Sequence, residues 1–266
     1  MGPGMETGLR NRVAIVSGAS QGLGKATAAA LAAEGAHLAL CARNIVALQQ
    51  LSDELRERFG VQVHCEACDV RDKSATDAFV RNVHRLFDRV DICVTNAGGP
   101  PAKQFLETTL ADWDNAFALN LRSAVDFAQA VLPHMQKQQW GRIITISSIT
   151  VKQPQPQLVL SNAIRTGVLG LVRSLSNEFA KDGITVNNVG PGYTATARLL
   201  ELAGRRAAST GKTEKEIEQT WIDQIPAGRL GKPEEIADAV VWLASERAAF
   251  VTGQTILVDG GMYQGV

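Results

Sequence analysis

The chain has 266 residues, 45% hydrophobic and 20% charged, values ordinary for a folded globular protein. Its 27 Lys and Arg balance 27 Asp and Glu, which excludes a broad electrostatic attraction to nucleic acid or to an anionic membrane. No run approaches the roughly 18 apolar residues of a transmembrane helix. The first six residues offer neither a basic region nor an apolar core for secretion, and Glu6 stands where a myristoylation signal needs Ser or Thr. A cytoplasmic location is expected.

Short apolar runs alternate with helical periodicity from end to end. Strands are expected at 13–17, 37–41, 61–65, 92–95, 143–147, 185–189 and 255–258. Helices are expected at 24–33, 46–59, 74–87, 113–136 and 162–180. Most strands are near-continuous apolar runs, the pattern of strands buried on both faces of a parallel sheet. The repeated βα order argues for a doubly wound α/β fold, a seven-stranded parallel sheet of Rossmann type with helices on both faces. No linker or repeat divides the chain, so residues 1–266 are read as one domain.

Two segments break the rhythm. Gln153-Pro154-Gln155-Pro156-Gln157 must be a loop, because proline fits neither a helix interior nor a central strand. Residues 196–224 exceed an ordinary strand-to-helix connection and are rich in Lys, Arg, Glu and Ala, which favours helix. Long elaborated connections often cover a site, so a helical lid is expected there.

Cys41, Cys65, Cys68 and Cys93 fall at or near strands and read as small buried hydrophobes in a reducing compartment. Cys65 and Cys68 have half the spacing of a zinc site, but no second pair completes it. His37, His64, His84 and His134 form no ligand pattern either, and no metal is expected.

Gly18, Gly22 and Gly24 follow a strand and open a helix. In that setting the first allows a tight turn, the second admits a pyrophosphate to the backbone, and the third lets helix and sheet pack closely. The helix start adds N–H donors and the positive dipole end. At the end of the second strand an NAD site would carry an acid for the ribose hydroxyls. Ala42 and Arg43 stand there instead, and the arginine fork suits a 2′-phosphate. NADP is expected ahead of NAD.

This glycine turn resembles the short-chain dehydrogenase/reductase family, together with Thr95-Asn96-Ala97-Gly98, the strand ending in Ser147-Ser148 and the helix Ser161-Asn162-Ala163-Ile164-Arg165. The likeness runs over nearly the whole chain and is nearest to the β-ketoacyl-acyl-carrier-protein (3-oxoacyl-ACP) reductases. It implies hydride transfer between a nicotinamide and a carbonyl or secondary alcohol of a small molecule. It implies that Gly18, Ser20, Gln21, Gly22, Leu23 and Gly24 hold the pyrophosphate side. Asp69, through its carboxylate, and Val70, through its backbone, would hold the adenine; Asn96, Ala97 and Gly98 would line its ribose. Pro191, Gly192, Thr194 and Thr196 would hold the carboxamide. A homotetramer or homodimer is implied, through the helical segments 113–136 and 162–180 and the terminal strand.

The family's reaction uses a Ser, an Asn and a Tyr-x-x-x-Lys pair. Ser148 and Asn120 match the first two, whereas Ser161 and Arg165 replace the pair. A serine hydroxyl is a far weaker acid than a phenol, and guanidinium keeps its proton. Arg165 shares a helix face with Ser161 and could hold the ribose or draw an anionic substrate. Three groups could replace the missing acid: Tyr193, Lys152, or a water held by Ser148, Ser161 and Asn120. Two functions stay open, an oxidoreductase with a changed proton donor and a dinucleotide-binding scaffold or regulatory protein without turnover.

Overall fold

The computed structural model describes residues 6–265; the leader-free start expected at residues 1–5 lies outside them. Seven strands form one sheet: β1 (Val13–Ser17), β2 (His37–Ala42), β3 (Val63–Ala67), β4 (Ile92–Asn96), β5 (Gly141–Ile146), β6 (Ile184–Pro191) and β7 (Thr255–Val258). Their order is β3-β2-β1-β4-β5-β6-β7, and every pairing is parallel. The expected doubly wound seven-stranded sheet is what the chain forms. The reversal of strand order between β1 and β4 opens a crevice above their carboxyl ends, where ligands bind in such sheets.

Alternation along β1 shows how the two faces are filled. Ala14 and Val16 face one apolar cluster with Leu31, Leu48 and Val240. Val13 and Ile15 face the other, with Phe79, Phe127 and Val172. The first cluster lies under α1 (Gly22–Ala33), α2 (Ile45–Phe59) and α9 (Pro233–Ala244). The second lies under α3 (Lys73–Phe87), α5 (Ser123–Gln138) and α6 (Val159–Phe179). Side chains such as Phe79 and Phe127, both fully buried, contribute roughly 1.5–3 kcal/mol each by leaving water.

Two expected boundaries are corrected. The third strand runs from Val63 to Ala67, two residues beyond the expected 61–65. Gly60, at φ +67°, is still turning the chain out of α2, and the Gln62 N–H is tied to His37 Nδ1. The helix expected at 113–136 is three pieces: α4 (Leu110–Phe117), a π-helical turn at Ala118–Arg122, and α5. A capping box between Thr109 and Asp112 starts α4 early. The widened turn carries Asn120, and such turns re-aim side chains at functional positions. Residues 196–224 form α7 (Ala197–Thr210) and α8 (Glu214–Ile222), which share an apolar cluster of Leu199, Ala203, Ile217 and Trp221.

Asp91, wholly buried, fastens the start of β4 to β1. Its carboxylate accepts the Val13 N–H at 2.8 Å, Arg89 at 2.6 and 2.7 Å, and Arg12 at 3.3 Å. Removing one member of a buried charge network strands its partners. Asp91→Ala is therefore expected to cost about 3 kcal/mol, read as a lowered midpoint in urea unfolding.

Candidate active site

The crevice is built on a clamp between the ends of β1 and β4. Ser17 Oγ donates to the Asn96 carbonyl at 2.8 Å and accepts the Asn96 N–H at 2.9 Å. The Asn96 side-chain amide donates to the carbonyls of Ser17 and Gly18, each at 3.3 Å. Asn96, expected beside a ribose, thus also braces the glycine turn. Gly18 sits at φ +60°, where a side chain would be strained and would meet the Asn96 carbonyl oxygen at 2.7 Å. The helix that follows starts at Gly22 with no side-chain cap and no acid in its first turn. Its N–H donors face a cavity of about 280 Å³ lined by Gly18, Gln21, Gly22 and Leu23. An uncapped helix start over a turn bounded by Gly18 and Gly22 fits a pyrophosphate.

A second cleft, of about 510 Å³, continues from the turn over the end of β2. Ser20, Arg43, Asp69, Val70 and Ala97 line it. Arg43 is exposed and forms no ion pair among the described residues. Asp69 is not free: Arg71 Nε and Nη2 reach its carboxylate at 3.0 and 2.6 Å, and the Arg71 N–H adds a bond at 3.0 Å. These hydrogen bonds hold the Asp69 carboxyl below the usual range. Arg71 also lines the cleft, so the adenine end presents two arginines where sequence reading singled out one. An Asp-x-Arg spacing was the available signal.

At the other end, Ser148, Ser161, Arg165, Pro191, Gly192, Thr194 and Thr196 line the same cavity as the glycine turn. Thr150 touches both serines, one through its backbone and one through its hydroxyl. Its N–H donates to Ser148 Oγ at 3.2 Å, and its hydroxyl lies 3.1 Å from Ser161 Oγ. Thr150 went unnoticed in the sequence, since no local spacing links a residue after β5 to a helix eleven residues on. Asn120 does not join the hydroxyls; its amide donates to the Gly98 carbonyl at 2.9 Å, and its Oδ1 is buried without a protein partner. Arg165 meets the same carbonyl at 3.3 Å and the Ser147 carbonyl at 2.8 Å. Thr194 donates to the Gly192 carbonyl at 3.2 Å, and Thr196 caps α7 by accepting the Leu199 N–H at 3.3 Å. Gly24 lies beneath the turn and meets its backbone rather than the cavity.

The candidate acids separate clearly. Tyr193 lines the cavity, stacks on Trp221 with ring centroids 5.2 Å apart, and donates weakly to Gln155 Oε1 at 3.4 Å. Burial raises its pKa, an effect partly offset by the charge of Arg206. Lys152 is exposed and does not line the cavity. Gln155 comes from the proline loop, which Asn162 pins by two bonds, at 3.1 and 2.9 Å. Among the described residues no cluster of His, Cys, Asp and Glu suits a metal.

This arrangement has known counterparts. The sequence model of the enoyl-(acyl carrier protein) reductase family matches residues 18–263. The chain belongs to the short-chain dehydrogenase/reductase family of oxidoreductases. It is 32% identical over 259 residues to the 3-oxoacyl-(acyl-carrier-protein) reductase of Aquifex aeolicus, covering 97% of this chain and all of that one. L-sorbose reductase of Gluconobacter frateurii, solved with NADPH and L-sorbose, superposes with a TM-score of 0.94 at 33% identity, over 98% of this chain and 100% of that one. A short-chain oxidoreductase of Pseudomonas aeruginosa, solved with NADPH and described as having an atypical catalytic center, gives 0.88 at 34% identity, over 97% and 100%.

Arg165 is buried with backbone carbonyls as its hydrogen-bond partners, and no carboxylate pairs with it among the described residues. Burial, then the charge of Arg198, lowers its pKa to about 10, so it stays charged at neutral pH. The folded state would release that proton before the unfolded one. The charge therefore opposes folding below pH 10, and the opposition fades only as pH rises above that value. Removing that charge relieves its burial cost, which offsets the loss of the donors to the Ser147 and Gly98 carbonyls. Arg165→Met is expected to leave the melting temperature unchanged or higher while weakening dinucleotide binding, checked by calorimetry on one preparation.

Proposed function

We propose that the chain is an NADP-dependent oxidoreductase acting on a carbonyl or secondary alcohol through a changed catalytic centre. One observation carries this: the hydroxyls of Ser148 and Ser161 and the charge of Arg165 share a single cavity with the glycine turn. A nicotinamide dinucleotide bound there would supply the hydride. The turn from Gly18 to Leu23 would hold the pyrophosphate at the start of α1, with Gly24 allowing the turn. Arg43, helped by Arg71, would take the 2′-phosphate; Val70, Ala97 and Gly98 would line the adenosine. Pro191, Gly192, Thr194 and Thr196 would hold the carboxamide.

The chain's own part in the chemistry falls to hydroxyls and a fixed charge. Ser148 accepts from the Thr150 N–H, which leaves its own proton to give to a substrate oxygen. The Thr150–Ser161 hydroxyl pair lies beside it but meets Ser148 only through the Thr150 backbone N–H, so the proton given up by Ser148 would be restored by water in the cavity. Arg165 favours the oxygen as it becomes negative, a role that needs no proton release. Asn120 holds the Gly98 carbonyl, which Arg165 shares, and so positions the arginine. Helices α7 and α8 would cover the substrate within a single domain.

Assembly into a homodimer or homotetramer belongs to the same reading, as does a cytoplasmic location. Leu110 and Phe117 at the ends of α4, with Phe105 and Leu106 in the short turn before it, leave apolar side chains exposed, and Leu106 alone is 94% exposed. No helix among the described residues is long and apolar enough to cross a membrane. The competing reading, a dinucleotide-binding scaffold, draws on the exchanged pair at Ser161 and Arg165.

Two measurements test the proposal. Calorimetry is expected to show NADPH binding at least about tenfold tighter than NADH, with the advantage lost in Arg43→Ala. Equal affinities would remove the assignment. Acetoacetyl thioester reduction is expected to run roughly 10²–10⁴-fold below ordinary reductase rates, because a positioned general acid is missing. The double change Ser161→Tyr with Arg165→Lys should raise it. Ordinary rates in the unchanged protein would refute the account of the centre.

A further inference from the structure

The cavity beside Ser148 has a charge imbalance that the hydride reaction does not require. Among the described residues no acidic side chain lines it, yet Arg165 and Arg198 both do. The two guanidiniums flank one short backbone stretch. Arg165 Nη2 donates to the Gly98 carbonyl at 3.3 Å, and Arg198 Nη2 to the Pro100 carbonyl at 2.9 Å. Between those carbonyls, a Cβ on Gly99 would lie 3.8 Å from Arg198. Neutralisation around them is incomplete. Glu201 answers Arg198 at 2.9 Å but also Arg205 at 2.6 Å, so one carboxylate serves two arginines. On α7, positions 198, 202 and 206 follow at four-residue spacing and share a face. Leu202 joins Arg198 in the lining. Arg206 does not line the cavity, so Arg198 is the arginine that α7 presents to it.

Like charges held together in a partly dry cavity repel, and the arrangement is relieved by an anion placed between them. The pyrophosphate does not fill that role, since it belongs at the uncapped start of α1, beside Gly22. Arginine forks bind carboxylates through paired N–H groups.

We propose that the substrate carries a carboxylate, held by Arg198 of α7 and attracted by Arg165, with its carbonyl turned toward Ser148. This rests on the oxidoreductase reading above and names its substrate class as oxo acids or hydroxy acids. A small cavity with Leu202 and Tyr193 on its walls favours a short acid with some apolar surface. The arginines are then specificity residues, and the reaction centre remains with the hydroxyls.

The test is a binding comparison that needs no turnover. Pyruvate, acetoacetate and levulinate, each beside its methyl ester, are titrated by calorimetry into the protein with and without NADP⁺. At least one acid is expected to bind about tenfold or more tightly than its ester. Arg198→Met should bring that acid toward its ester while leaving NADP⁺ affinity unchanged, which also shows that the variant folds. Equal binding of acid and ester, or binding of neither, overturns the proposal. So does a loss of NADP⁺ affinity in Arg198→Met that matches the loss for the acid, because the arginine would then serve the cofactor. Failure of NADP⁺ to bind at all would remove the cofactor reading alone, and the comparison on the unloaded protein would still decide the anion site.

Discussion

Gly24 has no side chain because there is no room for one. A Cβ there would stand 2.3 Å from the Gly18 carbonyl oxygen and 2.9 Å from the Asn96 amide. That close approach lets α1 begin directly on the end of β1, and Asn96 then locks the turn to β4. The crevice, the direction of the helix start and the placing of both clefts follow from this one contact. The register of β1 against β4, pairing Ala14 with Ile92 and Val16 with Val94, carries it into the sheet. A cofactor cradle of this kind is a property of backbone spacing more than of any side chain.

Arg165 is the second constraint, and it works against stability. It is 7% exposed and answers to two backbone carbonyls. A buried guanidinium without a carboxylate is retained where its charge acts on something else, and perturbed groups of this kind gather at functional sites. Its two carbonyl bonds fix the fork on the floor of the cavity, at the ends of β4 and β5. Lysine, a compact point charge on a flexible stem, could not span both carbonyls in this way. The exchange of lysine for arginine therefore changes geometry as well as acidity.

Much of the fold could be read from the sequence because its strands are buried runs and its helices carry a clear period. The reading slipped where tertiary contacts override local pattern. Val61 is apolar and buried, yet the turn at Gly60 keeps it out of β3. The helix expected at 113–136 hides a π-helical turn that no apolar period reveals. At the site, Ser148 and Arg165 were named through the family resemblance, and both line the cavity. Thr150 was not, because its contact with Ser161 depends on the path of the proline loop. Arg198 carries no local signal in a segment rich in Lys, Arg and Glu, and only the fold places it on the cavity wall.

The absence of a phenol at position 161 does not by itself remove proton transfer; it changes where the proton comes from. A buried tyrosine can donate only if its hydroxyl faces the reacting oxygen, and Tyr193 instead turns its hydroxyl to Gln155 while its ring stacks on Trp221. Moving it would unstack an aromatic pair, whose geometry is worth about 0.5–1.5 kcal/mol. The Ser148, Thr150 and Ser161 hydroxyls need no such rearrangement. A serine hydroxyl can give up its proton without being a strong acid where the negative charge forming on the substrate oxygen is stabilised. In the proposed reaction the fixed charge of Arg165 would supply that stabilisation, and serine at 161 and arginine at 165 would then be consistent with each other. A serine beside a lysine would lack both the acid and the spanning fork.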